Sequence, residues 1–243
     1  TVIENGSIKA VYRKTRLPNY DVFDEKRYFD AGSEPCVVSL GGVRCGINIC
    51  ADIWEPGAAE RAAGAGAELL LVLNASPCHL EKHHQRVEVM RERIAATGIP
   101  AIYANLVGGQ DELVFDGASF ALDAEGVCRM RLPQFEEALG VVDFDGGCLR
   151  SGDMADVLSV EAEAYRALVL GVRDYIGKSC FAGVIIGLSG GIDSALTLCV
   201  AVDALGADRV RAVMMPSPYT AQMSLDDSRA MIAALGVRYD ELP

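Results

Sequence analysis

The chain has 243 residues, 51% of them hydrophobic and 23% charged, an ordinary globular composition that excludes the disordered, collagen-like and small disulfide-rich classes. Its 22 Lys and Arg against 34 Asp and Glu leave a net charge of −12, so it carries no electrostatic footprint for duplex nucleic acid or for an anionic membrane surface. A small phosphate ligand stays open, because a local nest of backbone N–H groups can hold one.

The chain opens on Thr1 inside an alternating segment, Thr1 to Val11, shows no signal-peptide pattern, and closes at Leu242-Pro243 where another strand is due. Both ends read as cut from a longer protein. Val37 to Leu40 and Val43 to Cys50 are strand-like and separated by Gly41-Gly42. Ala58 to Gly66 is Ala-rich and helical. Leu69 to Leu73 is a continuous apolar run, the pattern of a strand buried on both faces. Glu81 to Thr97 is a longer helix stopped by Gly98 and Pro100, and Ala101 to Asn105 is a second buried strand. Ala118 to Leu122 and Val127 to Leu132 read as a hairpin, and Val141 to Phe144 as a last strand of this half.

Turn chemistry without apolar period then runs over 145–157, placing a linker at 147–157 between a first domain, 1–146, and a second, 158–243. The second half continues with an amphipathic helix (Val160 to Ile176), a buried strand (Val184 to Ile186), a helix (Ile192 to Leu205), a strand (Val210 to Met215) and a helix (Ser224 to Leu235) ended by Gly236. This β-α-β-α order predicts a parallel, right-handed sheet with about two strands present. The longest apolar runs fall far short of the roughly 20 residues of a membrane helix. The eight cysteines (Cys36, Cys45, Cys50, Cys78, Cys128, Cys148, Cys180 and Cys199) form no C-x-x-C pair, which fits reduced cytoplasmic thiols and speaks against zinc. His79, His83 and His84 cluster at a predicted, partly exposed helix start; the His79–His83 spacing could present two metal ligands, but no H-E-x-x-H accompanies it.

Gly187-Leu188-Ser189-Gly190-Gly191-Ile192-Asp193-Ser194 lies directly between a buried strand and a helix. Its glycines let backbone approach a ligand, and the helix start offers unpaired N–H groups and a positive dipole end, which suit a pyrophosphate. Ser189 and Ser194 add hydroxyls, and Asp193 adds a carboxylate suited to a phosphate-bridging magnesium ion. No Lys precedes the last Ser, so this is not a Walker A loop. Gly187-x-Ser189-x-Gly191 also fits a serine-hydrolase nucleophile elbow, which needs a downstream His, and no His follows His84. A ligand-free Gly-rich turn is the blander reading.

The segment SGGIDSA resembles the pyrophosphate loop of the N-type ATP pyrophosphatases. Arg173-Asp174-Tyr175, Ala204-Leu205-Gly206 and Met215-Pro216-Ser217-Pro218-Tyr219-Thr220 around it resemble the NAD synthetase family. In the first half, Cys50 ends a strand and is followed by Asp52-Ile53-Trp54-Glu55-Pro56, a position that exposes a nucleophile at a sheet's edge; a buried structural Cys is the commoner fate of a free thiol. Gly46 to Cys50 resembles the nucleophile segment of the nitrilase (carbon–nitrogen hydrolase) superfamily, and Lys14 within Lys14 to Tyr20 resembles its catalytic lysine segment. Val22 to Phe29 continues the pattern of the glutaminase domain in the glutamine-dependent NAD synthetase family.

The resemblance implies an α/β chain: a partial nitrilase-like αββα sandwich followed by the start of a Rossmann-like, parallel-sheet ATP-pyrophosphatase domain. It implies Cys50 as nucleophile and Lys14 as oxyanion partner, with the family's base glutamate falling before residue 1 and Glu25 as a supporting glutamate. It implies glutamine held by Tyr20, Ser76 and Lys82, and ATP by Gly187, Leu188, Ser189, Gly190, Gly191, Ile192, Asp193 and Ser194, with Asp193 on Mg2+. One departure stands out: Ala51 follows the cysteine where the family usually has Glu. The implied reaction is amidation of deamido-NAD with ATP and glutamine-derived ammonia, in a cytoplasmic homo-oligomer that uses neither nucleic acid nor membrane. The alternatives are another ATP-pyrophosphatase amidotransferase, such as a GMP or asparagine synthetase, and a non-catalytic fragment.

Overall fold

The computed structural model describes residues 1–242. Contacts divide them into two units: residues 1–107 with 115–158, and residues 108–114 with those from Ser159 onward.

In the first unit, β1 (Val2–Glu4) and β2 (Ser7–Ala10) pair as an antiparallel hairpin across Asn5-Gly6, both at positive φ. An Asn-Gly pair in that conformation is the preferred two-residue hairpin turn. The alternation in Thr1 to Val11 is therefore two short strands. β3 (Cys36–Leu40), β4 (Val43–Ile49), α1 (Ala58–Gly64), β5 (Leu69–Asn74), α2 (Lys82–Thr97) and β6 (Ala101–Asn105) follow. β4, β5 and β6 are parallel neighbours at the centre of a six-stranded sheet, and β3 closes one edge antiparallel.

Helices α1 and α2 cover one face. Leu70, Val72, Met90, Ile94, Tyr103, Phe120 and Leu122 form its core, each 0–1% exposed. Fully burying one such large aliphatic or aromatic side chain stabilises the fold by about 1.5–3 kcal/mol. Small residues let α1 come close: a Cβ on Gly46 would stand 2.9 Å from Ala62 Cβ and 3.0 Å from Ala67 Cβ. The opposite face buries Cys45, Leu69, Ala121, Met130 and Leu149. Leu73, at the end of the apolar run of β5, is 51% exposed, so burial on both faces holds only for the body of that strand.

The sequence pattern does not register the hairpin of β7 (Val107–Gln110) and β8 (Leu113–Asp116), whose tip at 108–114 groups with the second unit. β9 (Phe120–Leu122) and β10 (Cys128–Arg131) complete the first sheet at its other edge. The stretch read as unstructured turn contains a miniature hairpin, β11 (Phe144–Asp145) with β12 (Cys148–Leu149), and Leu149 is buried. The strand expected over 141–144 is thus confined to Phe144, and two-residue strands are too short to show an alternating period.

In the second unit, α3 (Val160–Lys178) starts where Ser159 Oγ accepts the Ala162 N–H at 3.3 Å, with Glu161 in the first turn. An N-cap hydroxyl and an early acid are the expected start signals. Asp174 and Lys178 of this helix hold the hairpin tip: Asp174 Oδ2 accepts the Gly109 N–H at 2.7 Å, and Lys178 Nζ donates to Gly109 O. β13 (Val184–Gly187), α4 (Ile192–Leu205), β14 (Val210–Met214), α5 (Gln222–Leu235) and β15 (Arg238–Glu241) build a sheet of three parallel strands in sequence order. The expectation of about two strands is corrected to three. β15 reads Arg-Tyr-Asp-Glu, a polar edge strand without an apolar signal. Leu198, Ala201, Val210, Ala212, Ile232 and Val237 fill the space between α4, α5 and the sheet. Among the described residues no helix is long and apolar enough to cross a membrane.

Candidate active site

The three parallel strands of the first sheet end at one edge. Cys50 follows β4, Ser76 lies just past β5, and Asn105 ends β6. In parallel α/β sheets this carboxyl edge is where ligands sit, because side chains and loop N–H groups converge there. Cys50 turns out of its strand into a short 3-10 turn, Cys50–Ile53, with φ of +43°. A non-glycine residue there stores roughly 1–3 kcal/mol of strain, which surrounding contacts must hold. Burial pushes the Cys50 thiol up, the Lys14 ammonium draws it down, Glu25 raises it and Arg86 lowers it, with the net direction upward. At rest the group is a thiol that needs help to ionise.

Lys14 Nζ donates to both oxygens of Glu25, at 2.6 and 2.8 Å. Glu25 thus pairs with the ammonium through both carboxylate oxygens. A cleft of about 160 Å³ beside the thiol is lined by Tyr20, Cys50, Ala51, Trp54, Ser76 and Lys82, with His79 at its wall. The structure therefore brings Tyr20, Ser76 and Lys82 together around Cys50. Lys14 does not line this cleft; it lines a second one with Tyr12, Glu25 and Ile49, the residue before Cys50.

One residue of the cleft and one buried behind it escape sequence reasoning. The Lys82 ammonium lies 4.1 Å from the centroid of the Trp54 ring, a cation–π contact that gives Trp54 a role the sequence does not signal. Burial, and the Arg86 charge, lower the Lys82 ammonium from its ordinary value, while Cys50 opposes them. Arg86 itself is 0% exposed. Its guanidinium donates to Asp116 at 2.7 Å, to Ser76 Oγ at 3.2 Å, and to the carbonyls of Ser76 and Pro77 at 2.9 and 3.1 Å. It fixes Ser76 from beneath. Asn105 fixes it from the side, accepting the Ser76 N–H at 3.0 Å. Removing one partner of so buried a pair costs about 3–5 kcal/mol, since the other charge is left uncompensated.

The histidine cluster resolves differently from its pattern. His79 and His84 are exposed, but His83 is buried, edge-on to Phe120 at 5.8 Å between ring centres. Burial, with Arg131 and Arg86 nearby, pushes His83 down to about 4. The unfolded chain takes up this proton near pH 6.5. Stability from neutral His83 is therefore fully present above pH 6.5 and is lost as pH falls toward 4, by roughly 3 kcal/mol in all. Urea titrations of wild type and His83→Gln at pH 7 and pH 4.5 should show the smaller acid destabilisation in the variant.

In the second unit, residues 187–194 run from the end of β13 into α4 as one compact loop. Ser194 Oγ accepts the Ser189 N–H at 3.2 Å and donates to Gly191 O at 3.0 Å; the Ser189 and Ser194 hydroxyls lie 3.0 Å apart. Ser189 Oγ accepts the Gly191 N–H at 3.3 Å. The loop's donors are thus held by its own hydroxyls, at the start of a 14-residue helix whose dipole favours an anion. Gly190 has φ of +79° and packs against Ser224. Asp193 is exposed in the first helical turn. An oxygen-only donor set of carboxylate and hydroxyls suits a hard cation such as Mg2+.

A family model described as carbon-nitrogen hydrolase matches residues 1–151, and one described as NAD synthase matches residues 164–243. A glutamine-dependent NAD(+) synthetase of Acinetobacter baylyi is 44% identical over 240 residues, covering 98% of this chain and 44% of that protein. One of Rhodobacter capsulatus is 46% identical over 243 residues, again covering 98% of this chain and 44% of that protein. Among solved structures, the glutamine-dependent NAD+ synthetase of Acinetobacter baumannii in complex with ADP superposes with a TM-score of 0.95 at 41% identity, covering 98% of this chain and 46% of that one. The chain spans about half the length of the curated relatives it matches. With the hydrolase model spanning well over half of its residues, around a strand-end cysteine with a half-buried lysine–glutamate pair near it, the chain belongs to the carbon-nitrogen hydrolase family.

Proposed function

We propose that the protein is a glutamine-dependent NAD synthetase, in which residues 1–146 release ammonia from glutamine, residues 147–157 link, and residues 158–243 contribute to the ATP-dependent amidation of deamido-NAD. The observation that carries this reading is the cleft that gathers Tyr20, Ser76 and Lys82 around Cys50. The relatives' names and the ADP-bound structure support it.

Cys50 attacks the side-chain carboxamide of glutamine. The Lys14 ammonium stabilises the oxyanion, a role for which preorganised charge is the largest single contribution in acyl transfer. The thiol proton ends on the departing nitrogen, ammonia leaves, and water hydrolyses the thioester to glutamate. Tyr20, Ser76 and Lys82 bind the substrate, and Lys82 supplies the charge complement of its carboxylate. In the second half, the backbone of Gly187, Leu188, Ser189, Gly190, Gly191, Ile192 and Ser194 receives the pyrophosphate of ATP, the loop's N–H groups exchanging their internal hydroxyl partners for phosphate oxygens. Asp193 would hold Mg2+, which supplies neutralisation of phosphate charge when bound. The carboxylate of deamido-NAD displaces pyrophosphate to form an acyl adenylate, and ammonia displaces AMP. The protein works in the cytoplasm as a homo-oligomer, on small molecules alone.

Parallel assays of the full-length protein with glutamine or ammonium as nitrogen donor test the reading: both should form NAD, AMP and pyrophosphate from ATP and deamido-NAD. Asp193→Ala should slow both and raise the Mg2+ concentration needed for half-maximal rate. NAD formation from neither donor by the wild type would refute the proposal.

A further inference from the structure

We propose that Asp52 is a positioning residue of the hydrolase site, a buried carboxylate that locks the Lys14 segment to the Cys50 turn. The inference rests on the glutaminase reading of Cys50 and Lys14.

Asp52 is 0% exposed and sits two residues after Cys50. Its Oδ1 accepts the Thr15 N–H and the Thr15 hydroxyl, both at 2.9 Å, and the Arg16 N–H at 2.8 Å. Its Oδ2 accepts the Tyr12 hydroxyl at 2.7 Å and the Ile49 N–H at 3.0 Å. Donors on both sides of Lys14 and the residue before Cys50 thus meet on one carboxylate. All five partners are donors, so the site fits a group that accepts at both ends; an amide would turn its NH2 against donors at one of them.

The need for such a lock follows from the local fold. Between β2 and β3 the chain has no strand, only the short 3-10 turn Glu25–Arg27. The Lys14 segment therefore lacks a sheet ladder to hold it. Its backbone has three further ties, the Gly32 N–H donated to Lys14 O at 2.8 Å, the Glu25 N–H to Pro18 O at 3.2 Å and the Phe23 N–H to Tyr20 O at 2.9 Å, all within the stretch between β2 and β3. Asp52 supplies the only one of these ties that runs to the nucleophile's own turn. Ser76 and Lys82 are held separately, by Arg86 and Asn105 and by α2.

Two consequences separate positioning from general support. Loosening Lys14 by about 1 Å from Cys50 costs on the order of a hundredfold in rate, since the ammonium then misses the oxyanion. It also weakens the one influence from that segment that draws the thiol down. The other groups facing Cys50 stay: Arg86 and Lys82 on α2, Tyr103 on β6, and Glu25.

The test uses the full-length protein. Asp52→Asn should lower kcat for glutamine hydrolysis about a hundredfold, more than it raises KM. It should also move the pH profile of Cys50 alkylation by iodoacetamide to higher pH. Ammonia-dependent synthesis by the same preparation should stay at the wild-type rate. Tyr12→Phe and Thr15→Val each delete one of the five bonds and should shift kcat and the alkylation profile in the same direction by less. A soluble Asp52→Asn with wild-type kcat and an unshifted profile overturns the proposal. Should that variant not fold, wild-type behaviour of both single-bond variants overturns it. A wild-type protein that neither hydrolyses glutamine nor is labelled at Cys50 by an electrophilic glutamine analogue overturns the underlying reading, and the proposal with it.

Discussion

Replacing Cys50 with alanine is expected to abolish glutamine-dependent NAD formation while ammonia-dependent formation continues near the wild-type rate. Loss of a nucleophile from an acyl-transfer site costs on the order of 10³–10⁶ in kcat, because the remaining groups have no bond to stabilise. Alanine keeps the cleft's other walls, since Ser76 is held by Asn105 and Arg86, Lys82 lies over the Trp54 ring, and Tyr20 packs edge-on to Phe23. The loop 187–194, to which the proposal gives ATP, lies in the other unit. An electrophilic glutamine analogue should label Cys50 alone. Cys36 and Cys45 are buried within β3 and β4, and the exposed Cys148 and Cys180 line no part of the cleft. Loss of both activities together, or a label on another cysteine, would defeat the assignment.

What the sequence reveals of this site follows from how locally each residue is specified. Cys50 and Ser76 stand just beyond apolar strands, so strand ends that can be read from hydrophobic runs already point to the sheet's functional edge. The loop 187–194 is legible for the same reason, as a glycine-rich break between an apolar strand and a helix. Arg86 is not legible. An arginine in a helix with Lys82, Gln85 and Glu88 around it reads as a solvated charge, and its burial depends on Asp116, thirty residues away. Asp52 is similar: its five donors come from Tyr12, Thr15, Arg16 and Ile49, and no pattern in the chain announces that they converge. His83 and His84 read together as part of a partly exposed helix start, yet one faces Phe120 and the other solvent. The elements the sequence hides have weak apolar signals: β7 is Val-Gly-Gly-Gln and β15 is Arg-Tyr-Asp-Glu. Their strand geometry comes from neighbours.

Gly190→Ala is expected to remove NAD formation with either nitrogen donor while glutamine hydrolysis survives. Two costs meet at this position. Its φ of +79° lies where a Cβ is disfavoured by roughly 1–2 kcal/mol. The added Cβ would also stand 2.5 Å from Ser224 Cβ and 2.7 Å from Ser224 Cα and O, at the start of α5. Backbone atoms of a helix cannot yield that distance cheaply, so the loop must shift instead. On the proposed reading its N–H groups are the cradle, and bonds between Ser189, Gly191 and Ser194 that span only a few residues fix them. A shift of the glycine therefore misdirects several donors at once, which a lost side chain would not do. ATP binding by calorimetry and both synthesis assays should fail together. Gly177→Ala, in α3 with open space around its Cα and no positive φ, serves as the control and should match wild type. If Gly190→Ala bound ATP and formed NAD normally, the ligand would not be held by this loop's backbone, and the pyrophosphate assignment of residues 187–194 would fall.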